Sequence, residues 1–90
     1  MSHVVREKAA LLARLRRIKG QLEGVERALE GEAACGEVLR QLASIRGAMT
    51  GLTKEVVEEQ LREHVLAAST EAERAEGVEE VIQILGTYMK

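Results

Sequence analysis

The chain has no proline, phenylalanine, tryptophan or aspartate, and only one tyrosine and one cysteine. Each shortage excludes something. With no proline in 90 residues, the strongest helix breaker is missing. With almost no aromatic rings, a core must come from Leu, Ile, Val, Ala and Met. The stacking platforms that hold single strands and RNA loops are missing too. Without aspartate there is no Ser-His-Asp constellation, and no Gly-rich phosphate loop or strand–helix alternation supplies a cofactor fold, so no enzyme is expected. The lone Cys35 cannot close an intrachain disulfide, and the basic start has no apolar secretory region. A reducing cytoplasm is the expected setting. No apolar run approaches the roughly 18 residues of a membrane span, so no membrane partner is expected.

What is present reads as helix. Hydrophobic residues make up 46% and charged residues 31%, suited to one small soluble all-α domain over residues 1–90. Leu11, Leu15, Ile18, Leu22, Val25 and Leu29 repeat at 4-3-4-3-4, the seam of a helix packed on other helices. Gly31 is its stop signal. Val38, Leu42, Ile45, Met49, Leu52 and Val56 repeat the same spacing, interrupted by Gly47 and Gly51, which point to a close backbone approach at a helix crossing. Thr70 and Glu73 form a capping box before Val78, Val81, Ile82, Leu85 and Met89. Three helices are predicted, over about 5–30, 33–67 and 72–89, with the start of the third anywhere from 70 to 77. Glu55, Glu58, Glu59 and Glu63 read as a solvated face.

Two long helices and a short one cannot enclose a core. A hairpin buries one stripe and leaves Leu39, Val57, Leu61 and Val65 needing cover. With no disulfide, association is the expected stabiliser, as a helical-bundle dimer or larger.

Cys35 lies on the backward extension of the second seam, so taken alone it reads as a packed core thiol. His64 alone would be a surface histidine near a helix end, and His3 part of a terminus. Cys35 and His64 are 29 residues apart on one helix, roughly 43 Å, and cannot meet within a chain. In an antiparallel pair crossing near Met49, however, Cys35 of one copy falls opposite His64 of the other. A hairpin turning near Glu32 folds His3 back toward Leu61. Cys35, His64 and His3 then converge at an interface, twice by symmetry. Gln60, four residues before His64, adds a weak oxygen ligand or a hydrogen bond. A thiolate with two imidazoles suits nickel, cobalt, zinc or copper, and not calcium or magnesium.

Residues 1–19 hold Arg6, Lys8, Arg14, Arg16, Arg17 and Lys19 against Glu7 alone, on a chain of net charge -2. At 100° per residue Arg14 and Arg17 share one shoulder of the first helix with Arg6, Lys8 and Lys19 take the other, and Arg16 points away. A solvated bundle face accounts for such charge, but the near absence of acidic partners favours a phosphate backbone. With no aromatic platform, double-stranded DNA is the expected nucleic acid, met through phosphates and shape.

The stretches "RIKGQLEG", "C…VLRQLASIRGA" and "GTYMK" resemble the small all-helical bacterial repressors typified by CsoR, RcnR and FrmR, which sense copper, nickel/cobalt and formaldehyde. The resemblance spans nearly the whole chain. It implies a three-helix protomer, an antiparallel dimer with a four-helix core, and a disc-shaped homotetramer. It also implies repression by the effector-free protein and release of operator DNA when effector binds near Cys35. Arg14, Arg17 and, more weakly, Arg46 match family DNA contacts. Copper sensors present Cys, His, Cys where this chain has Cys35, Gln60, His64. Nickel/cobalt sensors use the amine of Ser2, His3, Cys35 and histidines at 60 and 64, of which only the histidine at 60 is missing here. Formaldehyde sensors pair the cysteine with an N-terminal proline, for which the amine of Ser2 can substitute.

Three readings follow: a repressor released by a transition-metal ion, with nickel, cobalt or zinc ahead of Cu(I); the same repressor answering formaldehyde through Cys35 and the Ser2 amine, with no metal; and a structural helical adaptor without a DNA role.

Overall fold

The computed structural model describes residues 7–88, and they are helical almost throughout. Helix α1 spans Lys8–Glu30, α2 spans Cys35–Leu61 and runs into a π-helical segment, Arg62–Leu66, and α3 spans Glu71–Tyr88. The expectations for Ser2, His3, Arg6 and Met89 lie outside the described residues. The chain packs as two units, Glu7–Thr53 and a second that takes in Lys54 onward.

In the first unit α1 and α2 form a hairpin. α1 ends in a Schellman motif: the Glu32 N–H donates to the Leu29 carbonyl at 3.2 Å and the Ala33 N–H to that of Ala28 at 2.9 Å. The expected stop at Gly31 is the helix cap, but the left-handed residue is Glu32, with φ 57°. Ile18, Val25 and Ile45 form the core, with Val38, Ala48 and Leu52 against it.

Each predicted stripe splits in two. Every seventh residue turns inward: Leu11, Ile18 and Val25 on α1, and Val38, Ile45 and Leu52 on α2. The alternating members, Leu15, Leu22, Leu29, Leu42 and Met49, stay 41% to 62% exposed. Cys35 belongs with the outward set. The expected place on the buried line is corrected, because Cys35 stands about 80° round α2 from Ile45, on the flank of Leu42 and Met49. The expected close approach at Gly47 and Gly51 is absent within the chain. A side chain at Gly47 would meet nothing within 4 Å, and one at Gly51 only the Arg14 guanidinium.

In the second unit α3 packs on the π-helical segment. The close approach is here, at buried Gly77. A Cβ at that position would overlap the His64 carbonyl oxygen and lie 2.7 Å from its carbon and 2.9 Å from the His64 Cβ. Thr70 caps α3 as expected: its Oγ1 accepts from the Glu73 N–H at 3.1 Å. The reciprocal bond is shifted by one residue, since the Glu73 carboxylate accepts from the Ser69 N–H. Arg74 closes the turn before α3, donating to the carbonyls of Val65 at 3.2 Å and Ala68 at 3.0 Å while pairing with Glu71 at 2.7 Å. Among the described residues of the third stripe only Val81 is buried, and Val78, Ile82 and Leu85 are exposed.

The solvated-face reading of Glu59 is overturned. Its side chain is 1% exposed and paired with Arg62 at 3.2 Å, and Glu55, Glu58 and Glu63 are half-buried. α3 returns to this stretch of α2, where Gln60 bonds to Glu80. No described helix is long and apolar enough to cross a membrane.

Candidate effector site and nucleic-acid interface

Cys35 is the first residue of α2, a free, exposed thiol. Two residues later, in the same first turn, Glu37 accepts from Gln41 at 3.2 Å and from Arg40 at 3.1 Å. The Gln41 amide, then the Arg40 hydrogen bond and charge, hold the Glu37 carboxyl below its ordinary range. The acidic side chain next to the helix start is thereby kept ionised and tied to its own helix.

His64 sits within the π-helical segment, half-buried, and lines a cavity of about 280 Å³ with Glu63, Glu73, Glu76, Gly77 and Glu80. Four carboxylates around one imidazole favour a cation there over an anion. Gln60 is only 4% exposed, and its Nε2 donates to Glu80 at 3.0 Å. Its amide nitrogen therefore ties α2 to α3, leaving Oε1 as the atom able to act as a ligand. Among the described residues, no three His, Cys, Asp or Glu side chains are placed together to hold a metal ion.

The basic candidates Lys8, Arg14, Arg16, Arg17, Lys19 and Arg46 are all exposed. Two of them are organised. The Arg14 Nη1 donates to the Gly51 carbonyl at 3.2 Å, and Arg14 and Arg17 line a notch of about 100 Å³ with Ile18, Gly47, Ala48 and Gly51. One turn further along, Gln21 bonds to Ser44 at 3.1 Å. These polar links occupy one flank of the hairpin. Cys35, Leu15, Leu22, Leu42 and Met49 occupy the other. Sequence reasoning missed Gly77, Arg74 and the burial of Glu59. Only Gly77 carried a signal, as a glycine inside a helical stripe.

The chain matches a family model described as a metal-sensitive transcriptional repressor over residues 7–87. It is 48% identical to an uncharacterized protein of the bioA 5′ region of Serratia marcescens and 40% identical to the transcriptional repressor RcnR of Salmonella typhimurium, covering all of each chain. It also resembles the structure of a variant of the formaldehyde-responsive regulator FrmR from Salmonella enterica serovar Typhimurium. There the TM-score is 0.86 at 40% identity, covering 97% of this chain and 99% of that one. That family consists of transcriptional repressors rather than enzymes, and with the match covering residues 7–87 this chain belongs to the metal-sensitive transcriptional repressor family.

Proposed function

We propose that the chain is a cytoplasmic repressor that binds double-stranded operator DNA as a homodimer or homotetramer and releases it when an effector engages Cys35. The observation that carries this reading is the two-sided α1–α2 hairpin. One flank offers Arg14 and Arg17 to phosphates, and the other offers exposed leucines beside a thiol. Self-association through the apolar flank covers Leu15, Leu22, Leu42 and Met49. It also supplies Cys35 with ligands its own chain does not bring together.

The effector is a transition-metal ion, with nickel, cobalt or zinc preferred to Cu(I). The donor set fits such an ion. Cys35 supplies a thiolate and His64 of a second copy an imidazole, with His3 and the Ser2 amine from the N-terminus. With a single cysteine and the hard amide oxygen of Gln60, the chain offers fewer soft donors than a trigonal copper site uses. Joining two copies through Cys35 and His64 favours an assembly whose basic flanks no longer match the duplex. That differential affinity lowers DNA binding.

Fluorescence anisotropy of the reduced protein on duplex from upstream of its own gene tests this. The complex is challenged in parallel with Ni(II), Co(II), Zn(II), Cu(I) and formaldehyde. Release by one metal at stoichiometric amounts, lost in Cys35→Ala while DNA affinity stays intact, supports the reading. Metal-driven release that survives in Cys35→Ala places the effector site elsewhere. The exposure of Cys35 and the likeness to FrmR favour formaldehyde as the second reading. There the Cys35 thiol and Ser2 amine are joined through one carbon with loss of water, visible by intact mass.

A further inference from the structure

The DNA-facing flank holds a feature that its charges do not explain. The notch between α1 and α2 has a floor of Ile18 and Ala48, walls of Arg14 and Arg17, and Gly47 and Gly51 at its edge. Both glycines sit in the interior of α2, where glycine is the weakest ordinary helix former. Neither is required by its backbone, since no described glycine has a positive φ. Neither makes room for another part of the chain. A Cβ at Gly47 would meet nothing within 4 Å, and one at Gly51 would meet only the Arg14 guanidinium, at 3.7 Å.

The space they leave lies on the side where the two arginines point. It holds about 100 Å³, on the order of three water volumes and so the scale of one phosphate group. The Gly51 carbonyl fixes one guanidinium nitrogen of Arg14 at 3.2 Å, so this side chain is oriented before any ligand arrives. The fixed Arg14 guanidinium adds its charge to that of the exposed Arg17, whose planar fork suits phosphate oxygens. Gly47 and Gly51 stand about 120° and 160° round α2 from Cys35, so the notch is separate from the thiol's flank.

We propose that Gly47 and Gly51 are positioning residues for DNA binding: by leaving the α1–α2 notch open they let a single backbone phosphate settle between Arg14 and Arg17, with the Gly51 carbonyl positioning Arg14. This rests on the operator-binding reading above and adds to it a seat for the phosphate. Filling the seat blocks binding even though both arginines remain.

The test uses the full chain with Gly47→Leu, and Gly47→Ala as the milder variant. Each is measured by anisotropy on the same upstream duplex across a salt series, beside thermal unfolding and mass in solution. Gly47→Leu is expected to lose at least about tenfold in DNA affinity. Its salt slope should be shallower by about one for every notch that engages a phosphate. Its Tm should equal or exceed that of the unmodified chain, because leucine is the better helix former and its Cβ meets nothing within 4 Å. Gly47→Ala should fall between the two in affinity. If Gly47→Leu binds duplex with the original affinity and slope, the notch is not a phosphate seat, while the repressor reading stands. If Gly47→Leu alters the mass of the assembly, the notch is an interface between copies and the proposal is overturned. If the unmodified chain shows no salt-dependent binding to duplex, both readings fall.

Discussion

Gly77→Ala should be among the most damaging single-methyl additions to this chain. The new Cβ would lie 2.7 Å from the His64 carbonyl carbon and 2.9 Å from the His64 Cβ, and would overlap the carbonyl oxygen. Ordinary contacts begin near 3.4 Å, so these atoms must separate by about 0.5–0.7 Å. They belong to the backbone and the first side-chain carbon, and no rotamer change moves them aside. Either α3 lifts off the π-helical segment or that segment deforms. Overpacking of this kind costs about 1–3 kcal/mol. Alanine recovers up to about 1 kcal/mol as the better helix former, which would blur a comparison with the unmodified chain. Gly86→Ala removes that ambiguity. Gly86 lies in the same helix with nothing within 4 Å, so it takes the helix gain without the clash. The difference between the two variants is therefore the packing cost alone. At about 4–8 °C per kcal/mol for a domain of this size, Gly77→Ala should melt some 4–24 °C below Gly86→Ala. Both must be measured at one protomer concentration, because association shifts Tm. Equal melting temperatures would refute the close packing of α3 on the His64 peptide.

Glu32→Gly should raise the urea midpoint by the equivalent of about 0.5–1 kcal/mol, because glycine adopts the left-handed φ of 57° that glutamate occupies at a cost. The Glu37 carboxyl should titrate below the ordinary value of 4.5 in an NMR pH series, and Gln41→Ala should move it back up. A depressed carboxylate stabilises the fold fully above its unfolded pKa. The contribution is lost as pH falls below 4.5 and through the folded value, so acid unfolding should begin slightly earlier in Glu37→Gln. Gln60→His should tighten Co(II) or Ni(II) binding in a competition titration. It should also lower Tm by a few degrees, since the hydrogen bond to Glu80 is lost.

The three helices were legible because apolar residues recur at 4-3 spacing and no proline interrupts them. Which members of a stripe would face inward was not legible. Ile18 and Leu15 are chemically alike, and only the pairing of α1 with α2 separates the buried one from the exposed one. Glycine shows the same limit. Gly47, Gly51 and Gly77 are each a helix-interior glycine in the sequence, yet Gly77 alone has backbone against it. Glu59 and Glu63 look equivalent on a helical wheel, but Glu59 is 1% exposed while Glu63 is half-buried. At the candidate site, residue type and spacing single out Cys35, His64 and the basic residues of α1, but they do not give the burial of Gln60 or its bond to Glu80.

Arg62–Leu66 has one more consequence. The Ala67 N–H reaches back five residues to the Arg62 carbonyl, at 2.9 Å, rather than four. A turn closed that way takes up one residue more than an α-turn. The bearing of His64 about the helix therefore depends on chain length as well as on residue identity. Counting down α2 at a uniform pitch misjudges that bearing by up to about 100°. Deleting one residue within the segment would let the helix run straight and swing the downstream side chains round by that angle. The choice of which donors meet an effector can thus be altered without changing any donor, through a change of phase in the backbone that carries them.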